Sequence, residues 1–136
     1  FAVVWRSAAS EYRRAVDLYD EGKYQEAAYL FESVIARPVS VIKIRPQARV
    51  ALGRCKMELA SEIAFKERSL DGYTRALKLL EEARPLVGPS EELERRIKEY
   101  GEYKAKAEEA EKAAAAAKAA EETAPAPAPA EGQAPR

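Results

Sequence analysis

Apolar residues recur three or four positions apart along most of this chain, the period of an amphipathic α-helix. In the first segment Trp5, Ala8, Ala9, Tyr12, Ala15, Val16 and Tyr19 fall on one face. Asp20-Glu21-Gly22 ends the run, glycine supplying the left-handed conformation that closes many helices. Lys23 to Arg37 predicts a second helix with Ala27, Phe31, Val34 and Ile35 inward, stopped at Pro38. Two helices joined by so short a turn form an antiparallel hairpin. The period then changes. Pro38 to Pro46 holds Val39, Val41, Ile42 and Ile44, β-branched residues that favour extended backbone, in a link longer and more apolar than most helix connections.

A third helix is predicted from Pro46, a residue suited to a first helical turn, carrying Val50, Leu52, Cys55, Leu59, Ile63 and Phe65. Lys66 to Gly72 reads as a turn and Tyr73 to Arg84 as a fourth helix, with Pro85 and Pro89 bracketing a break. Ser90 caps a fifth helix whose first turn holds Glu91 and Glu92, acids that favour the positive end of the helix dipole. Leu93, Ile97, Tyr100 and Tyr103 give that helix one apolar stripe. The stripe fades into Lys104 to Glu122, almost all Ala, Glu and Lys, which has high helix propensity and little to bury, and so predicts a solvated, fraying extension. Alternating Ala and Pro from Ala124 to Ala130 forbids helix and favours polyproline II, a semi-rigid tether. The expected division is thus 1–88, two helix hairpins; 89–122, a capping helix and its extension; and 123–136, a tail.

One pattern occurs twice: Gly22-x-Tyr24-x-x-Ala27-x-x-x-Phe31-x-x-Val34-x-x-x-Pro38, and Gly72-Tyr73-x-x-Ala76-x-x-x-Leu80-x-x-Ala83. It resembles the second helix of a tetratricopeptide repeat, and Ala51-Leu52-Gly53 resembles the small-residue crossing point of such a repeat's first helix. The resemblance implies an all-α helical repeat whose first helices line a concave, protein-binding groove. Tyr24 and Tyr73 lie 49 residues apart, against about 34 in that family, the excess falling in the long link and third helix. Such arrays need about three units to bury their faces. With two, the Ser90 helix is expected to cap one end through Leu93 and Ile97, leaving the end at Phe1 and Trp5 for an external partner.

The residue inventory argues against an enzyme. Without histidine or asparagine the commonest general base is missing, as are the Ser-His-Asp and Cys-His arrangements. No glycine-rich phosphate loop is present, and no cofactor or metal is expected. The lone cysteine, Cys55, lies in line with Ala51 and Leu59 and reads as a buried apolar residue. The 23 basic and 23 acidic residues cancel, which removes any global attraction to nucleic acid or membrane.

Locally the balance tips. From Ser33 to Met57 there are basic residues Arg37, Lys43, Arg45, Arg49, Arg54 and Lys56 and no acid. Arg45, Arg49 and Lys56 share a helical face by spacing. By the family resemblance Arg49, Arg54 and Lys56 correspond to groove residues that grip an acidic peptide or a terminal carboxylate. The chaperone-tail clamp of that family also uses asparagines, which this chain lacks.

These readings predict a non-catalytic interaction scaffold or assembly subunit. It would bind a protein or acidic peptide segment through Arg45, Arg49, Arg54 and Lys56 and the apolar link residues Val39, Val41, Ile42 and Ile44. The chain begins at Phe1 without methionine, and Trp5 followed by Arg6 fits the end of a membrane anchor as well as the start of a core helix. A membrane-anchored structural component of a bacterial envelope is therefore the alternative, periplasmic or membrane-associated rather than cytoplasmic. An electrostatic module for anionic lipid or nucleic acid is a third, weaker reading.

Overall fold

In the computed structural model the described residues are 2–37 and 44–123, with the backbone alone for residues 2–7. They form helices only: α1 (Ala2–Asp20), α2 (Tyr24–Ala36), α3 (Arg45–Glu67), α4 (Leu70–Val87) and α5 (Glu91–Thr123). The Pro38 to Lys43 part of the link, the Ala/Pro tail, Phe1 and the Trp5 side chain lie outside the described residues.

Each helix packs on the next in the chain. Tyr19 meets Tyr24 at a centroid distance of 5.1 Å and Tyr12 meets Phe31 at 5.6 Å, so α1 and α2 run antiparallel. Gly53 lies against Val87, Lys56 pairs with Glu82 and Gly72 lies against Glu67, so α3 and α4 also run antiparallel, and the Arg84–Glu94 pair joins α4 to α5. Gly22, at φ +82°, closes α1 with its N–H on the Tyr19 carbonyl.

Two apolar cores result, and α3 belongs to both. Ala8, Ala15, Ala27, Phe31, Val34, Ala48, Leu52 and Cys55 form the first. Met57, Ala60, Ala64, Ala76, Leu80, Ala83, Leu93 and Tyr100 form the second. The expected inward stripe of α3 is corrected here. Leu52 and Cys55 are buried, but Val50 and Phe65 are exposed, and Leu59 and Ile63 are half-buried. A helix flanked on both sides can approach its neighbours closely only where side chains are small, so Ala48, Gly53, Ala60 and Ala64 occupy its contact lines. At Gly53 an added Cβ would stand 2.4 Å from Val87 Cγ1 and 3.0 Å from Leu86 Cβ.

Two further expectations change. The turn predicted over Lys66 to Gly72 contracts to Arg68 and Ser69: Arg68 takes a left-handed conformation (φ 43°), and the Ser69 hydroxyl accepts from the Gly72 N–H at 3.0 Å. Pro85 does not break α4, which runs on to Val87 and ends at Gly88, φ +72°. An interior proline costs about 3 kcal/mol. Here it sits in the exposed last turn, and continuing the helix lets Leu86 reach the first core and Val87 the second. Ser90 caps α5 as expected, its hydroxyl accepting from the Leu93 N–H at 3.2 Å.

Candidate functional site

Between α1 and α3, both of which pack on α2, the surface opens into a cavity of about 540 Å³. Its lining is mainly apolar, with Tyr12 and Val16 from α1, Phe31 from α2, and Val50 and Ala51 from α3; Asp20, Gln47 and Arg54 are its polar members. Tyr12, Val16 and Tyr19 read from sequence as core, yet each is only half-buried, because their outer edges form this wall. Val50 is 37% exposed for the same reason.

The cavity continues into a second of about 400 Å³ toward the start of α5, lined by Met57, Glu58, Val87, Pro89, Ser90 and Glu92. Tyr19, Val50 and Arg54 line both, so the two make one furrow across α1, α3 and the α4–α5 turn. Burial and the negative charge of Glu58 raise the Tyr19 phenol above its usual value, so it stays a neutral donor.

Arg54 stands at the junction of the two cavities and forms no ion pair among the described residues. At the α5 end the acids are balanced: Arg96 reaches Glu92 at 2.7 Å and Glu58 at 3.4 Å, and also donates to the Met57 carbonyl and Ser61 Oγ, both at 3.2 Å. This network ties α5 to α3. The Glu92–Arg96 spacing of four was visible in the sequence, but the reach to α3 had no sequence signal.

The four basic residues singled out in the sequence are not brought together. Arg54 alone of them lines the furrow. Lys56 turns to the α4 side, paired with Glu82 at 2.9 Å, its side chain only 19% exposed. Arg45 is half-buried, donating to the Arg37 carbonyl, and Arg49 is exposed without lining the cavity. Arg37 itself pairs with Glu11, which also accepts from Ser33 Oγ at 3.1 Å. The spacing does place Arg45, Arg49 and Lys56 on one face, but Arg54 lies half a turn away, and the furrow is on its side. Of the link residues, Ile44 packs half-buried on the first core, and Val39, Val41 and Ile42 lie outside the described residues.

Cys55 is fully buried, and burial pushes its thiol up to about 12. Among the described residues no three potential metal ligands converge, and no helix is long and apolar enough to cross a membrane. Compared with protein-family models, curated proteins and solved structures, the chain matches none.

Proposed function

We infer that this chain is a non-catalytic interaction scaffold, built from tetratricopeptide-like helix hairpins, that holds a segment of a partner protein in the furrow. One observation carries the reading: two adjoining cavities across successive helices, the one between α1 and α3 mostly apolar and the one toward α5 mostly polar, with the cation of Arg54 where they meet. Such a trough fits an apolar segment with an acidic group set to meet Arg54, the apolar lining providing affinity and the charge fixing register. The electrostatic reading is weakened because Arg37, Arg45 and Lys56 are engaged inside the fold.

Affinity capture from the native source with Val50→Asp and Arg54→Glu variants tests this. Both residues are exposed, so the fold should be retained, as circular dichroism would check. The reading expects a discrete partner held by the wild type to be lost with either variant and kept by Glu109→Lys, far along α5. Retention of that partner by both furrow variants would contradict it.

A further inference from the structure

A second cleft, separate from the furrow, lies where the α3–α4 turn faces α5. It holds about 280 Å³ between Ala64, Phe65, Arg68, Tyr73, Tyr100 and Tyr103. The rings of Tyr73 and Tyr103 stand 5.6 Å apart at 42°, and those of Tyr100 and Tyr103 stack at 6.2 Å. Phe65, at the edge, is 62% exposed. Arg68 occupies the left-handed helix-end position that glycine normally fills and lines the cleft, its Nε–H donating to the Phe65 carbonyl at 3.2 Å. Tyr100 donates to Ser61 Oγ and Tyr103 to Glu99, but the Tyr73 hydroxyl has no partner among the described residues. Ring faces with the free Tyr73 hydroxyl beside them suit a polyproline II segment, whose proline rings pack on aromatics and whose carbonyls are unpaired.

The chain carries an alternating Ala-Pro sequence at Ala124 to Ala130, outside the described residues, of the kind that favours this conformation. It cannot reach its own cleft. Helix α5 continues from Tyr103 to Thr123, about 30 Å at 1.5 Å per residue. Even fully extended, the chain from Thr123 to Pro129 returns only about 22 Å at ~3.6 Å per residue.

A second copy removes the difficulty. Lys104, Glu108, Glu111, Lys118 and Glu122 share one face of α5 and make no ion pair among the described residues. If two extensions lie antiparallel with Tyr103 of one beside Thr123 of the other, Lys104 falls opposite Glu122 and Glu108 opposite Lys118, while Glu111 meets only Ala115. The same register starts each tail at the other copy's cleft. We propose that two copies pair in this two-fold way, the complementary charges of the α5 extensions setting the register and each Ala/Pro segment entering the tyrosine cleft of the other copy. A two-fold arrangement uses one surface twice and closes on itself.

Sedimentation equilibrium of the full chain, with charge-exchanged variants, tests the pairing. Wild type should dimerise. Lys104→Glu with Lys118→Glu makes the face wholly acidic, and Glu108→Lys with Glu122→Lys, together with Glu111→Ala, makes it wholly basic. Each alone should weaken pairing at least about tenfold through like-charge repulsion, and an equimolar mixture should restore it. A nitroxide at Glu131→Cys locates the tail, since the fully buried Cys55 takes no label. Mixed with isotope-labelled wild type, it should broaden amide signals around Phe65, Tyr73 and Tyr103 of the other copy. That broadening should vanish with Phe65→Ala, an exposed site, and with glycine at Pro125, Pro127 and Pro129. The proposal is overturned if wild type stays monomeric at the highest soluble concentration, if the charge variants pair as wild type does, or if pairing leaves the cleft signals sharp. Val50→Asp should pair normally, so this result and the furrow result are read separately.

Discussion

Cys55 shows how position on a helix decides chemistry. Placed between basic neighbours Arg54 and Lys56 it could pass for an activated thiol, but those side chains leave the helix in other directions and burial dominates. Thiol reagents near pH 8 should therefore modify it only at the rate of unfolding, and a rate matching a free thiol would show it to be accessible. Because its folded value lies above its unfolded one, the thiol's contribution to stability is present below the unfolded value and lost as pH rises toward about 12. Gly53 is the sharper steric test. Replacing it with Ala gains about 1 kcal/mol of helix propensity, while crowding into a packed contact costs about 1–3 kcal/mol. With Leu86 and Val87 so near, crowding wins, and Gly53→Val should lower the chemical-denaturation midpoint clearly more than Gly53→Ala. The Ala51-Leu52-Gly53 cluster made this crossing legible. The split of the basic residues was not legible, since spacing tells which residues share a face but not what that face meets.

At the scale of elements, α5 covers the second core. Leu93 is fully buried and Tyr100 nearly so, and Arg96 anchors the same stretch to α3. Ending the chain at Pro89 should lower stability by roughly 3 kcal/mol or more, since each fully buried large apolar side chain contributes about 1.5–3 kcal/mol. Removing Ala124 to Arg136 should leave the thermal midpoint unchanged at concentrations where copies stay apart, because Ala-Pro sequence has little apolar surface to bury. Equal behaviour of the two truncations would sink the cap. The helices and their order were readable from periodicity and caps, Ser90 most clearly. Their ends were less so: Pro85 was outweighed by the burial of Leu86 and Val87, and the α3–α4 reversal used a left-handed arginine that no turn rule favours.

For the molecule as a whole, the sharing of α3 couples the two cores. Phe31→Ala in the first and Leu80→Ala in the second should each cost about 2–5 kcal/mol through lost burial and a residual cavity. Both should shift one common unfolding transition, seen alike by tyrosine fluorescence and circular dichroism. Two separate transitions would show the halves to be independent. The furrow spans that same junction, so its shape depends on both halves holding together. It was hidden from the sequence because its wall residues carry the same periodicity as core residues, and only the packing of α1 and α3 on α2 leaves their edges open. The claim that this trough is where a partner sits is tested most directly by photo-crosslinking from within it. A photoreactive residue at Val50 should capture a discrete partner in the cells that make this protein, and one at Tyr29, 72% exposed on α2 and outside the furrow, should not. Crosslinks from Tyr29 with none from Val50 would contradict the account.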